Sequence, residues 1–181
     1  AASVLAPIVK ALGTKALKHP PLPEIESQPR WKRHLAKVNP MSRAADSISY
    51  HYDVSNAFYE KVLGDSMAYT CACYPDADAS LEAAQENKYR LVFDKLGLKA
   101  GDRLLDVGCG WGGMVRYAAR RGVHAIGVTL SKEQVEWGRA AIEAEGLGDL
   151  AEVRLQDYRD VPERDFDAVS SIGITEHIGR K

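Results

Sequence analysis

The amino-acid sequence predicts an α/β fold with a parallel β-sheet and helices on both of its faces. Short apolar segments alternate with longer amphipathic segments from residue 103 to residue 172, as in strands that are joined by crossover helices. A glycine-rich loop follows the first of these strands, and glycine lets a backbone turn tightly and approach a ligand closely. The 181 residues suffice for one domain with a hydrophobic core.

The first part of the chain is predicted to be helical and basic. Apolar residues at helical spacing, with lysines between them, predict an amphipathic helix over 3–18. Four prolines mark 19–29 as a linker. Further helices are predicted over 31–38, 42–49 and 54–63.

The second part of the chain contains the predicted sheet. Ser80 is a suitable N-cap for a helix that ends near Leu96. Four strands are predicted after this helix, over 103–107, 123–129, 151–156 and 166–172. Two helices are predicted between them, over 111–121 and 131–145. The fourth strand is mostly apolar, and native sheets avoid an exposed apolar edge. We therefore expect the sheet to continue beyond Lys181 and the chain to be a fragment of a longer protein.

The glycines after the first strand match two cofactor-binding patterns. Gly108, Gly110 and Gly113 form the G-x-G-x-x-G pattern of dinucleotide-binding proteins. Gly108, Gly110 and Gly112 form the G-x-G-x-G pattern of S-adenosylmethionine (SAM) methyltransferases, and an aspartate precedes them. A dinucleotide site needs an acidic residue at the end of the second strand, where this sequence has Thr129, a leucine and a serine. Spacing alone does not decide, but these neighbours favour SAM over a nicotinamide dinucleotide.

The distribution of charges and the number of cysteines limit which partners and which cellular compartment we expect. Residues 1–43 contain eight Lys and Arg against two Asp and Glu, whereas the remainder contains sixteen against twenty-three. A basic arm on an acidic body indicates an anionic partner, a membrane or a nucleic acid, although a solvated linker gives the same pattern. The odd set of Cys71, Cys73 and Cys109 indicates neither a disulfide framework nor a metal site, and fits a reduced cytoplasm. The sequence shows no apolar run near the ~20 residues of a membrane span.

Six motifs occur in a characteristic order. They are H-Y-D-V-S-N from His51, Y-T-C-A from Tyr69, L-L-D-V-G-C-G-W-G from Leu104, T-L-S from Thr129, Q-D-Y from Gln156 and S-I-G-I-T-E-H from Ser171. In this arrangement the chain resembles the cyclopropane-fatty-acid synthase family, which includes mycolic acid cyclopropane synthases, from about Ser42 to Gly179. Its Y-T-C-A-C-Y loop resembles that of actinobacterial fatty-acid methyltransferases more than that of the mycolate enzymes.

The resemblance implies a fold and a domain organisation. The fold is a Rossmann-like SAM-dependent methyltransferase fold, of which this chain would hold the first four strands of the parallel sheet and the N-terminal helices. Residues 1–41 would be a basic arm at the end of an upstream region. Residues 42–181 would be the N-terminal part of the methyltransferase domain, truncated after the fourth strand.

The resemblance also implies a reaction. The family transfers the methyl group of SAM to a cis double bond in a lipid acyl chain, and a poor nucleophile such as an alkene must be aligned with that methyl group. The resulting carbocation loses a proton to a bound bicarbonate ion and closes a cyclopropane ring, or first shifts a hydride and yields a methylene branch. Thr175 replaces a bulky residue of many relatives, so the sequence leaves the product open.

The functional residues of the family transfer to matching positions. The expected catalytic residues are Cys71, whose backbone amide would contact bicarbonate, Glu176, which would orient that ion, Tyr52, at the junction of cofactor and substrate, and His177, in a supporting or structural role. The expected SAM-binding residues are Tyr69, Thr70, Asp106, Gly108, Cys109, Gly110, Gly112, Thr129, Leu130, Gln134, Gln156 and Asp157. Taken alone, Thr129 and Gln134 would instead indicate helix capping, and Trp111 and Trp137 indicate packing.

The expected partners follow from the same resemblance. They are unsaturated phospholipid acyl chains and, through the basic arm, the anionic inner face of a membrane rather than nucleic acid. The expected location is therefore cytoplasmic and peripheral to the membrane. A homo-oligomer and a reductase that saturates a methylene product stay open. Two other functions also stay open, a methyltransferase for a soluble small molecule and an inactive fragment.

Overall fold

The computed structural model describes residues 56–174 of the chain. The basic arm, the linker and the helices predicted before residue 54 lie outside the described residues. Three expected catalytic residues, Tyr52, Glu176 and His177, also lie outside them, as does Thr175.

Four helices and four strands form the described part of the chain. In order they are α1 Asn56–Leu63, α2 Leu81–Leu96, β1 Arg103–Val107, α3 Gly113–Ala119, β2 His124–Thr129, α4 Lys132–Ala144, β3 Ala151–Leu155, a 3-10 turn Tyr158–Asp160 and β4 Ala168–Ser170. Within residues 56–174, every helix is too short or too polar to cross a bilayer.

Local sequence signals set the ends of α2. The Ser80 hydroxyl accepts a hydrogen bond from the amide of Ala83 at 3.1 Å, which satisfies one of the free amides at the helix start. The helix ends at Gly97, which has a φ of +65°. The predicted cap and the predicted end near Leu96 are both confirmed.

The sheet is parallel and has the strand order β3-β2-β1-β4. At its centre, Leu105 of β1 is the register partner of Ile126 in β2 and of Val169 in β4. The predicted α/β fold and its four parallel strands are therefore confirmed. Val169 is 56% exposed, so β4 presents an apolar side chain at the edge of the described sheet.

The helices that join the strands lie on one face, which differs from the prediction of helices on both. Leu104 of β1 clusters with residues of α2, α3 and α4, whereas its neighbour Leu105 points to the opposite face and packs with Val128 and Val161. Since β1, β2 and β3 follow one another in a single direction, two right-handed crossovers place α3 and α4 on the same side. The β3–β4 connection, with Val161 and Phe166, covers the other face.

Two elements, α3 and β4, are each four residues shorter than predicted, whereas the bounds of the other strands and of α4 differ by at most one residue at either end. α3 begins at Gly113 rather than at 111, because Gly110 and Gly112 have positive φ values of 57° and 79° and extend the preceding loop. β4 comprises three residues, because it pairs with only Leu104–Asp106 of β1.

Candidate functional site

The glycine-rich loop lies at the carboxyl end of β1, the edge where open α/β sheets bind ligands. The amides of Gly108 and Cys109 both donate to the carbonyl of Val128, at 2.9 and 3.1 Å, which anchors the loop on the end of β2. A Cβ built on Gly110 would meet no described atom within 4 Å. Because Gly110 also has a positive φ, this point of the loop combines a backbone that favours glycine with an open face for a ligand.

Gly113 has a different reason to be glycine. A Cβ at this position would lie 2.2 Å from the hydroxyl oxygen of Tyr89, so α2 packs directly against the start of α3. Helix packing therefore explains the last glycine of the dinucleotide pattern. The remaining glycines, Gly108, Gly110 and Gly112, all have positive φ and form the pattern that favours SAM.

Asp106 lies beneath this loop in the interior of the sheet. It is 3% exposed, and its Oδ1 accepts a hydrogen bond from the hydroxyl of Ser170 at 2.6 Å. Burial raises the pKa of Asp106 to about 7, although the hydrogen bond from Ser170 lowers it. The carboxyl thus connects the ends of β1 and β4 and titrates near neutral pH.

The end of β2 carries a buried polar pair. Thr129 donates its hydroxyl to Oε1 of Gln134 at 2.6 Å, and both residues are buried. Ser131 caps α4 by accepting from the amide of Gln134 at 3.3 Å. The capping role that Thr129 and Gln134 would have alone thus belongs to Ser131. Leu130 lies between Thr129 and Ser131 in the chain and is half-buried.

The end of β3 lies beside the end of β2, because the amide of Gln156 donates to the carbonyl of Thr129 at 3.0 Å. Asp157 caps the 3-10 turn, where its Oδ1 accepts from the amide of Arg159 at 2.9 Å. Its Oδ2 forms an ion pair with the guanidinium of Arg159 at 2.6 Å. These contacts lower the pKa of Asp157, so it stays negatively charged at neutral pH. The side chain of Gln156 donates to the carbonyl of Asp160.

Three aromatic residues connect the Tyr69 region with the glycine loop. The ring of Tyr59, in α1, lies 4.8 Å from Trp111 and 6.1 Å from Tyr69, measured between ring centroids. Trp111 donates its indole N–H to Oδ1 of Asn56 at 2.8 Å and is 2% exposed. The packing role predicted for Trp111 is therefore confirmed. Trp137 packs against the same cluster and donates to Glu60 at 2.8 Å.

The segment Tyr69–Cys71 rests on α2. The carbonyl and hydroxyl oxygens of Thr70 accept hydrogen bonds from the ammonium of Lys88, at 3.3 and 2.8 Å. Tyr69 and Cys71 are exposed, and all three cysteines are free thiols. The structure thus places most of the expected SAM-binding residues in loops at one edge of the sheet, with Thr129 at the end of β2, Gln134 in the first turn of α4 and Asp106 below the loops.

The sequence analysis missed the residues of α2 and α1 that hold these loops. Gln85 and Lys88 are 4% and 5% exposed, and they lie on the same buried side of α2 as Ala84 and Tyr89. Long polar residues on the apolar side of an amphipathic helix were the signal that could have identified them, since such residues are buried only when they are paired. Asn56, which holds Trp111, is the last residue of the H-Y-D-V-S-N motif, and this motif was its signal in the sequence.

A cleft lies at the opposite edge of the sheet from the glycine loop. This cleft of about 440 Å³ between the second half of α4 and β3 is lined by Arg139, Ile142, Glu143 and Asp149, among others. It extends to the amino end of β3, opposite the edge with the glycine loop. Its position does not connect it with the residues described above.

Comparison with known families decides the identity of this fold. A family described as mycolic acid cyclopropane synthetase matches residues 40–181. The chain belongs to the mycolic acid cyclopropane synthetase family. The family membership predicted from the motifs is therefore confirmed.

Relatives in this family are similar over most of the chain. A probable fatty acid methyltransferase of Mycobacterium tuberculosis is 62% identical over 181 residues, which are 99% of this chain and 42% of that protein. The cyclopropane-fatty-acyl-phospholipid synthase of Escherichia coli K12 is 43% identical over 132 residues, which are 72% of this chain and 33% of that protein. The chain thus spans between a third and about two fifths of these two relatives' lengths.

A solved structure in the family confirms the fold. The mycolic acid cyclopropane synthase CmaA1, in complex with SAH and CTAB, superposes with a TM-score of 0.69 at 35% identity. The superposition covers 75% of this chain and 47% of the other. The described strands and helices of this family member therefore form part of a Rossmann-like methyltransferase fold.

Proposed function

We propose that the protein to which this chain belongs is a SAM-dependent methyltransferase for the cis double bond of unsaturated phospholipid acyl chains. The observation that carries the proposal is the open glycine loop at the carboxyl end of β1 in a chain whose residues 40–181 match this family. The named activity of the Escherichia coli relative and the SAH bound to CmaA1 support the substrate class and the cofactor.

The described residues fit SAM. The open face at Gly110 would let SAM lie against the loop backbone, and the exposed Tyr69 and the half-buried Thr70 would contact its methionine end. Asp157 keeps its charge and would accept a hydrogen bond from the amino group of adenine. SAM, when bound, would supply an electrophilic methyl group on a sulfonium. The residues of this chain would hold that methyl group in line with the double bond, because alignment is what a weakly nucleophilic alkene needs.

We further propose that Cys71 contributes its backbone amide to a bicarbonate site. Cys71 is exposed, and within residues 56–174 its amide donates no hydrogen bond. A free, exposed amide is a suitable donor for an oxyanion. Bicarbonate, when bound there, would supply the base that accepts the proton lost by the methylated acyl chain. Glu176, which lies outside the described residues, would orient that base, as the sequence resemblance implies.

The test uses the full-length protein, SAM with an isotopically labelled methyl group, and vesicles of cis-unsaturated phospholipid. We expect label in the acyl chains, and none with vesicles of fully saturated phospholipid, because these offer no double bond. Proton NMR then distinguishes a cyclopropane from a methylene product, which have equal mass. Bound SAM without label in the acyl chains would contradict the proposed substrate, and soluble acceptors would be tested next. A methylene product would leave open whether a reductase saturates it afterwards.

A further inference from the structure

Lys88 is a charged residue in the interior of the described fold. It is 5% exposed, and its ammonium donates to Oε1 of Gln85 at 2.6 Å and to the hydroxyl and carbonyl oxygens of Thr70 at 2.8 and 3.3 Å. These contacts use the three donors of an ammonium group. Among the described residues no carboxylate forms an ion pair with it, and the titratable groups that raise its pKa are the thiols of Cys71 and Cys73.

Gln85 holds the same segment from the previous turn of α2. Its side-chain amide donates to the carbonyls of Ala68 and Thr70, at 3.3 and 3.2 Å. The carbonyl of Thr70 therefore accepts two hydrogen bonds, one from a neutral amide and one from an ammonium. We call the two donor residues the Gln85–Lys88 clamp.

The clamp fixes the direction of the next backbone amide. A trans peptide group is planar, so the Thr70 carbonyl and the Cys71 N–H point in opposite directions. With the carbonyl directed at α2, the N–H of Cys71 is directed away from α2. This N–H is the donor that makes no hydrogen bond within the described residues, in a residue that is exposed. A charged donor on the carbonyl also polarises the peptide group and makes its N–H a stronger donor.

We propose that Lys88 is a positioning residue for an oxyanion, which it serves by orienting and polarising the Cys71 amide through the Thr70 carbonyl. The inference rests on the proposed function, in which that anion is bicarbonate. Lys88 itself need not touch the ion. Its buried positive charge, which no described carboxylate compensates, favours a negative charge in the same region.

The pKa of Lys88 agrees with this role. Burial lowers it to about 8, whereas the thiols of Cys71 and Cys73 raise it, so the ammonium form predominates at neutral pH. A lysine that only filled space could be replaced by methionine, which has a similar length and is apolar. A lysine that polarises a peptide group could not.

The experiment compares Lys88→Met with Lys95→Met in the full-length protein. Lys95 lies on the same helix but is exposed, so its variant removes the same charge without touching the clamp. In carbon-dioxide-free buffer, with chloride as the control anion, bicarbonate is titrated while the shift of the Cys71 amide is followed in protein labelled with nitrogen-15 cysteine. The bicarbonate dependence of methyl transfer and the Kd of SAM are measured in parallel. Gln85→Glu, which loses the donor to both carbonyls, is a second variant in case Lys88→Met does not fold.

We expect Lys88→Met to raise the bicarbonate concentration for half-saturation by about tenfold or more, in both the amide shift and the activity, since an ordinary charge-assisted interaction has this size. The Kd of SAM should change by less than this, because Lys88 also holds Thr70, which would be one of several residues that contact SAM. Lys95→Met should behave like the wild type, and Lys88→Arg should recover part of the affinity because it keeps the charge. An unchanged bicarbonate response in folded Lys88→Met or Gln85→Glu would overturn the inference. If bicarbonate does not change the chemical shift of the Cys71 amide in the wild-type protein, the proposed bicarbonate site itself is overturned.

Discussion

Ser170 donates its hydroxyl to Oδ1 of Asp106 across 2.6 Å, and the two residues are also register partners of β4 and β1. The pair connects the edge strand of the described sheet with the strand that precedes the glycine loop. Asp106 is buried, and burying a carboxylate costs a large free energy. The hydrogen bond from Ser170 offsets part of this cost.

The first prediction concerns the pH dependence of stability. The folded pKa of Asp106 is raised to about 7 from the ordinary value of 3.8 for an aspartate, so the folded state binds more protons than the unfolded state between these values. The contribution of Asp106 to the free energy of unfolding is therefore largest below about pH 4 and falls as the pH rises to about 7. Asp106→Asn removes this loss because it stays neutral.

This prediction is checked by urea unfolding of the full-length protein at about pH 5 and about pH 8. Relative to the wild type, Asp106→Asn should gain roughly 2 kcal/mol or more between the two pH values. Asp94→Asn is the matched control, because Asp94 lies exposed in an ion pair on α2. Parallel pH profiles for Asp106→Asn and the wild type would show that the carboxyl of Asp106 does not titrate in this range.

The second prediction tests the open face of the glycine loop. Gly110 and Gly97 have similar positive φ values, and a Cβ on either would meet no described atom within 4 Å. Alanine at either position should therefore cost a similar ~1 kcal/mol of stability. Only Gly110→Ala adds a methyl group to the proposed SAM-binding surface, so only this variant should weaken SAM binding, by about tenfold or more. Isothermal titration with SAM measures the difference, and equal Kd values for both variants would place SAM elsewhere.

The third prediction tests the close approach of α2 to α3. Gly113→Ala brings a methyl group to 2.2 Å from the hydroxyl oxygen of Tyr89 and 2.6 Å from its Cζ, so the ring of Tyr89 or one of the two helices must shift. We expect a loss of roughly 1–3 kcal/mol in the free energy of unfolding, as for other overpacked interiors. Tyr89→Phe removes only the hydroxyl and should recover part of this loss. Additive effects of the two substitutions in a double-mutant cycle would contradict the direct contact.

The fourth prediction concerns the membrane contact that the sequence leads us to expect for the basic arm. Replacing Lys32, Arg33 and Lys37 with Gln should weaken binding to anionic vesicles by up to about 100-fold at low salt, since each basic residue near such a surface contributes ~1 kcal/mol. The control replaces Lys95, Lys99 and Lys132, which are exposed elsewhere and change the net charge equally. Vesicle co-sedimentation measures the binding. Equal losses in both variants, or no dependence on salt or lipid charge, would argue against a docking role for the arm.

By itself, the sequence determined the features that depend on neighbouring residues. β1 was predicted with its observed bounds, because an apolar run lies between Asp102 and a loop glycine. Ser80 as an N-cap depends only on a hydroxyl one turn before a free amide. The family motifs are equally local, since each is a short run of residues, and they sufficed to predict the family and the parallel α/β fold.

Only the tertiary structure decided what each side chain meets across long separations in the chain. It assigned Gly113 to helix packing because Tyr89 comes from another helix, and it buried Asp106 against Ser170, which is 64 residues away. Likewise, Lys88 reaches Thr70 only because α2 folds back along the loop that precedes it. Periodicity indicates which face of a helix is buried but not what lies opposite it, so contacts of this kind have no signature in a single sequence.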